Sequence, residues 1–235
     1  MKKLAVVTGG SQGIGKALIY QLAEAGFAIA TCARHAEPLE ALSRDVQTRF
    51  DAEFTYRTVD VADPEAVRQF AQVVQRLDLP VELLVNNAGV FIPGQISHEP
   101  PGVFEQTMHT NVFSVYYLTQ ALVGDMINRQ RGHIINVCST ASVTAYANGG
   151  SYCVSKFALL GMSKVLREEL KPHNVRVTSV LPGATLTQSW EGTELPPERF
   201  MSAEDVARAI IGAYGLSDRT VVEEIILRPQ MGDIS

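Results

Sequence analysis

Long apolar runs are missing from this 235-residue chain. None reaches the ~18 residues that a membrane-spanning helix needs, so a membrane protein is not expected. Met1-Lys-Lys before Leu4-Ala-Val-Val7 imitates the start of a signal peptide. A glycine-rich turn interrupts the apolar stretch after four residues, which argues against that reading. Positive charge is not in excess: the net charge is −5, which speaks against a nucleic-acid footprint. There are only three cysteines, Cys32, Cys138 and Cys153, without metal-ligand spacing and each in an apolar setting. We expect reduced, buried thiols, no metal and a cytoplasmic location. Repeats, low-complexity segments and linker-like stretches are absent too, so one domain over 1–235 is expected.

What is present is an ordinary globular composition, 46% hydrophobic and 19% charged. Short apolar strands alternate with helical patterns. The strands are Lys3–Val7, Phe27–Ala33, Glu53–Val59, Val81–Val85, Gly132–Cys138, Val175–Leu181 and Val221–Leu227. Helical periodicity covers Lys16–Ala25, Glu40–Phe50, Pro64–Leu77 and a long region, Pro101–Gln130, with a break or cap near its start. It returns over Tyr152–Leu170 and again after Ser202, a good N-cap followed by early acids. Repeated βα units imply a parallel sheet with right-handed crossovers. Ligands of such sheets gather at the carboxyl ends of the strands, and the informative residues fall there.

Ser139 to Lys156 is the most informative stretch. A serine follows a strand, and Tyr152-x-x-x-Lys156 opens a helix. Residues four apart share a helix face, roughly 6 Å apart at Cβ. The Lys156 ammonium is therefore expected near the Tyr152 phenol, lowering its pKa from about 10 and making it a general acid/base. Ser139 can hydrogen-bond the oxygen that gains or loses the proton. Taken alone, the same pair also fits an ordinary amphipathic helix.

Thr8-Gly-Gly-Ser-Gln-Gly-Ile-Gly15 lies between the first strand and its helix. Gly9, Gly13 and Gly15 allow a tight turn and close approach of a pyrophosphate to backbone, with the helix N-terminus facing it. A purely structural turn reads the same way. The second strand ends in Ala33-Arg34, where an NAD site would carry an acid. Arg34 suits a ribose 2′-phosphate, or is a solvated arginine paired with Glu37 and Glu40. Asp60-Val61 ends the third strand; its carboxylate can accept from an adenine amino group or cap the helix at Pro64. Asn86-Asn87-Ala88-Gly89 ends the fourth, as a turn or as room for a flat ring and ribose. Asn111 is polar among apolar neighbours, as a buried amide tied to backbone would be.

Thr8-Gly-x-x-x-Gly-x-Gly15, Asn86-Asn-Ala-Gly89, Asn111, Ser139, Tyr152-x-x-x-Lys156 and Pro182-Gly183 resemble, in order and spacing, the short-chain dehydrogenase/reductase family. The resemblance spans essentially the whole chain. It implies a doubly wound Rossmann-type α/β domain, with helices on both faces of a sheet of about seven strands, that moves hydride between a nicotinamide and a carbonyl. It implies Tyr152 as acid/base, Lys156 on the nicotinamide ribose, Ser139 on the substrate oxygen in preference to Ser142, and Asn111 holding a water in a relay through Lys156. Cofactor contacts then fall to Gly9, Ser11, Gln12, Gly13, Ile14, Gly15, Arg34, Asp60, Val61, Asn87, Ala88, Gly89, Pro182, Gly183, Thr185 and Thr187. NADP-dependent members often carry a basic residue where Arg34 stands and another in the glycine loop, where this chain has Gln12. NADP(H) is the expected cofactor.

Gln188–Met201 reads as a substrate flap or a passive connection. Trp190, the sole tryptophan, is either a platform for a planar substrate or packed away. The ending, with Thr185–Trp190, resembles bacterial sepiapterin reductase-like members; 3-oxoacyl-(acyl-carrier-protein) reductases are also similar. A carrier-protein substrate would want a basic patch, for which Arg129, Arg131 and His133 are the candidates. A protein that binds NADP(H) without turnover is the non-enzymatic alternative. The helices Val112–Ile127 and Tyr152–Leu170 are apolar on more than one face, which with the resemblance implies a homodimer or homotetramer.

Overall fold

A computed structural model describes residues 2–190 and 192–234 of the chain. Seven parallel strands form one sheet in the order β3-β2-β1-β4-β5-β6-β7. They are β1 Leu4–Thr8, β2 Ala28–Ala33, β3 Phe54–Thr58, β4 Val81–Asn86, β5 Gly132–Val137, β6 Val175–Pro182 and β7 Glu224–Leu227. The helices are α1 Gly13–Glu24, α2 Ala36–Phe50, α3 Pro64–Gln75, α4 Val103–Met108, α5 Ser114–Arg129, α6 Gly150–Leu170 and α7 Ala203–Tyr214.

The central strands are buried on both faces, so they read as continuous apolar runs rather than alternating ones. Alternate residues feed two cores. Ala5, Val7, Leu83 and Val85 meet Leu18, Leu22, Val46, Val206 and Ile210 of α1, α2 and α7. Val6, Leu84, Ile134 and Val177 meet Phe70, Val74, Leu118 and Met126 of α3 and α5, with Leu170 of α6. The chain winds outward from β1 to β3 and then returns to start β4 beside β1. That reversal opens a crevice at the carboxyl ends of β1 and β4, where ligands of doubly wound sheets bind.

Several elements differ from their sequence reading. α1 and α2 begin at Gly13 and Ala36, ahead of the expected Lys16 and Glu40. Neither has a side-chain cap, and Ala36, Glu37 and Pro38 at the start of α2 are all exposed, so that start does not show in the apolar pattern. Asp63, not Asp60, caps α3 by accepting from Glu65 N at 2.8 Å. The region Pro101–Gln130 is interrupted in its interior by a π-helical turn, His109–Phe113. Ser202 does cap α7, accepting from Asp205 N at 3.1 Å. Cys32, Cys138 and Cys153 are buried and free.

Arg129, Arg131 and His133 do not make a free basic cluster. Arg129 and Arg131 both bond the buried Glu82 carboxylate, at 3.0 and 2.7 Å, and His133 is fully buried. Thr178 Oγ1 donates to Val222 O, so it accepts from His133 Nε2–H at 2.7 Å, while His133 Nδ1 has no partner among the described residues. Burial, reinforced by Arg176, pushes His133 down to about 3 from the usual 6.5. A neutral buried ring stabilises the fold above pH 6.5, and that contribution is lost as pH falls toward 3. We expect a loss of about 1.4 kcal/mol per pH unit below 6.5. Thermal melts of wild type and His133→Gln between pH 7.5 and 5 check this; the variant should show the flatter profile.

Candidate active site

The glycine turn after β1 is built by close packing. Gly9 N and Gly10 N donate to Cys32 O of β2 at 2.8 and 3.4 Å, drawing the turn against the end of that strand. Gly13 adopts φ +52°, and a Cβ there would lie 3.1 Å from Thr187 Cγ2. A Cβ on the buried Gly15 would collide with Gly9 O and the Asn87 amide. Gln12 stands at the N-cap of α1 with extended backbone and no side-chain cap bond, so α1 presents its first N–H groups and the positive end of its dipole to the crevice. Ser11 is half-buried in the turn, and Ile14 packs into the core.

Across the crevice, Asn87 stitches the end of β4 to the turn. Its Nδ2 donates to Thr8 O at 2.9 Å and Gly9 O at 3.2 Å, while Thr8 Oγ1 accepts from Asn87 N and Ala88 N, both at 3.0 Å. Asn86 points inward instead, donating to Asn136 Oδ1 at 2.8 Å within the buried network that continues to Ser163. The two asparagines are thus supports, and Ala88-Gly89 supplies the open floor. Gly89 adjoins both catalytic candidates: a Cβ there would lie 3.3 Å from Asn111 Oδ1 and 3.7 Å from Lys156 Nζ.

Arg34 follows β2 immediately beside the turn. It is exposed and makes no ion pair with Glu37, Glu40 or any other described residue. Asp60 is exposed, with Oδ1 accepting from Ala62 N at 3.0 Å; Val61 is buried beneath it. Pro182 ends β6, Gly183 N donates to Leu227 O at 2.8 Å, and Thr185 is buried, bridged to Met201.

The chemistry-bearing groups converge at β5 and α6. Ser139 leaves β5 and caps a short 3-10 turn, Thr140–Ser142, accepting from Ala141 N at 3.1 Å. Ser142 Oγ accepts from Ser139 N, so Ser142 orients Ser139 and is not its rival. Ser139 stands near enough to the Tyr152 phenol to favour its ionised form. Lys156 is buried, its Nζ donating to Val137 O at 3.0 Å and lying 5.7 Å from the Tyr152 ring centre. Asn111 sits in the π-helical turn, a common device at functional sites. Its Oδ1 accepts from Val90 N at 2.8 Å, and its Nδ2 donates to Val90 O and Ser155 Oγ at 3.0 and 2.9 Å.

One expectation is corrected. Lys156 does not draw the Tyr152 pKa down in this geometry. Burial pushes Tyr152 up to about 12, with Ser139 opposing, and burial also pulls Lys156 downward. Tyr152 is therefore held as a neutral phenol, the form that donates a proton.

Sequence reasoning missed Phe91. Its ring stands edge-on to Tyr152 with centroids 4.9 Å apart, and it is 42% exposed, walling the site. The loop after Gly89 carries no periodic signal that would have pointed to it. Trp190 is half-buried, its ring 5.0 Å from that of the buried Phe200. Gln188–Met201 contains two short 3-10 turns; Glu191 within it lies outside the described residues.

A Rossmann-type sheet with a glycine turn at its switch point and a Ser-Tyr-Lys set beside it defines a nucleotide-binding oxidoreductase scaffold. A family model described as short chain dehydrogenase matches residues 3–196. The chain belongs to that family and is one of its oxidoreductases. It is 35% identical over 243 residues to sepiapterin reductase of Chlorobaculum tepidum, covering 100% of this chain and 99% of that one. Among solved structures, an alcohol dehydrogenase from the archaeon Thermococcus sibiricus complexed with 5-hydroxy-NADP superposes with TM-score 0.93 at 26% identity, covering 100% of both chains. L-sorbose reductase from Gluconobacter frateurii, complexed with NADPH and L-sorbose, gives TM-score 0.90 at 28% identity, covering 98% of this chain and 96% of that one.

Proposed function

We propose that this protein is an NADPH-dependent carbonyl reductase that converts a small, sepiapterin-like ketone or diketone to an alcohol. The observation that carries the reading is the approach of Ser139 to a half-buried, neutral Tyr152 at the crevice of a glycine-turn sheet. The residues present fit the cofactor: no side chain caps the first N–H groups of α1 behind the glycine turn, and Arg34 offers an exposed cation at the end of β2 where an acid would repel a 2′-phosphate. The NADP and NADPH complexes of the similar structures agree.

Bound NADPH supplies the hydride. Ser139 and Tyr152 bind the carbonyl oxygen, and Tyr152 donates its proton to that oxygen as the C–H bond forms. Lys156 holds the ribose hydroxyls and returns the proton to Tyr152. The Asn111 side chain is committed to Val90 and Ser155. Its place in the relay therefore falls to main-chain groups of the π-helical turn. Thr185 and Thr187 would hold the nicotinamide, and Trp190 would contact the substrate.

A small carbonyl is preferred to a carrier-protein thioester because Arg129 and Arg131 are bound to Glu82 and His133 is buried, leaving that cluster unsuited to dock an acidic protein. A non-catalytic NADP(H)-binding role is disfavoured because all four of Asn111, Ser139, Tyr152 and Lys156 are present. NADPH oxidation with sepiapterin, an aromatic diketone and an acetoacetyl thioester in parallel tests the reading. Turnover of the first two is expected; exclusive turnover of the thioester would favour the alternative, and NADPH binding without turnover of any would favour the sensor.

The enzyme is further proposed to be a homo-oligomer. Phe104 on α4, Phe113 in the π-helical turn and Tyr116 on α5, with Val154, Phe157 and Val165 on α6, are exposed apolar side chains, and the family pairs helices equivalent to α5 and α6 across subunits. Light scattering at micromolar concentration should give at least a dimer mass; a monomer mass contradicts it.

A further inference from the structure

α6 carries Tyr152 and Lys156 on its first turns, yet its own sequence does nothing to secure its start. Its N-cap is Gly149, which has no side chain, and its first turn contains no acid. The missing cap comes from a carboxylate 52 residues earlier in the chain. Glu99 Oε1 accepts from Ser151 N at 2.8 Å, and Glu99 Oε2 accepts from Ser151 Oγ. Ser151 is 1% exposed, so both bonds form against the protein interior.

The rest of the Glu99 loop is fastened to the same helix end. Gly94 N donates to Asn148 O at 2.9 Å, Gly94 and Gly149 form a parallel bridge, and Gln95 Nε2 donates to Asn148 Oδ1 at 3.2 Å. Two glycines permit this approach: a Cβ on Gly94 would lie 2.8 Å from Glu99 Cγ, and a Cβ on Gly150 would collide with Glu99 Oε1. The other end of the loop places Phe91 against the Tyr152 ring. Loop and helix start are thus one unit, closed by Phe91 on Tyr152 at one end and Glu99 on Ser151 at the other.

We propose that Glu99 is a positioning residue for the reduction: by capping α6 from the Phe91–Pro100 loop it fixes Tyr152 and the Phe91 wall relative to the substrate carbonyl. Its action is on proton delivery geometry and not on cofactor binding, since the glycine turn, Arg34 and Asn87 are held by β1, β2 and β4, and Lys156 has its own anchor on Val137 O of β5 at 3.0 Å. The inference rests on Tyr152 being the proton donor in the proposed reaction.

Glu99→Ala and Glu99→Gln test it. Glutamine keeps an acceptor for Ser151 N–H and offers its amide to Ser151 Oγ. With whichever carbonyl wild type reduces, Glu99→Ala should lower kcat about 10- to 100-fold, as a misplacement near 1 Å does. NADPH Kd should be unchanged, and Glu99→Gln should stay within about threefold of wild type. Amide hydrogen exchange needs no substrate and therefore separates this inference from the choice of carbonyl. Amides 151–153 should exchange at least about tenfold faster in Glu99→Ala than in wild type or Glu99→Gln. Unchanged kcat, an equal loss of NADPH affinity, or unchanged exchange at 151–153 in Glu99→Ala would overturn it.

Discussion

Replacing Tyr152 by phenylalanine is expected to lower carbonyl reduction about 10³-fold or more, the scale of a lost general acid. The substitution keeps the ring that packs edge-on against Phe91 and removes only the hydroxyl that Ser139 approaches. NADPH affinity should stay near that of wild type, because Lys156 remains anchored on Val137 O. The wild-type pH profile carries the same information. Burial holds the Tyr152 pKa at about 12, so the proton-donating form is fully populated below that value and lost only as pH rises through it. Reductive kcat should therefore be flat from about pH 6 to 9. A rate that falls with an apparent pKa near 7 would show that another group delivers the proton. Single-turnover rates for both proteins across that range make the comparison.

The second large effect is expected at Arg34. Arg34→Glu replaces an exposed cation beside the glycine turn with a charge that repels a phosphate. Losing a charge-assisted hydrogen bond costs about 1.5–3 kcal/mol, so NADPH should bind about 10- to 100-fold more weakly. NADH, which lacks the 2′-phosphate, should be affected far less and could gain a ribose acceptor. Fluorescence titrations with both nucleotides check it. Equal losses for the two would remove Arg34 from the phosphate site and leave cofactor choice to other residues.

Much of the fold was legible because burial on both faces turns each central strand into an apolar run, and β1, β2, β4 and β5 fall where such runs stand. The crevice residues were legible because glycines, asparagines and the Tyr-x-x-x-Lys pair have few other reasons to follow strands in that order. What escaped was set by contacts distant in sequence. The π-helical turn around Asn111 is a slip in hydrogen bonding that leaves apolar periodicity almost unchanged. The direction of the Tyr152 shift depends on burial, which spacing along a helix does not report. Arg129, Arg131 and His133 look like a surface patch in sequence, and only the fold turns two of them onto Glu82 and the third inward. The capping of α6 by Glu99 spans 52 residues and has no local signature.

In the proposed reaction hydride reaches a carbonyl carbon and Tyr152 supplies the proton. The most direct measurement is mass spectrometry of the alcohol formed from sepiapterin or the diketone with NADPH deuterated at nicotinamide C4 on the transferred face. One deuterium at the carbinol carbon, with product formation lost in Tyr152→Phe, is the result this account predicts. An alcohol without deuterium, or one formed equally well by Tyr152→Phe, would contradict it.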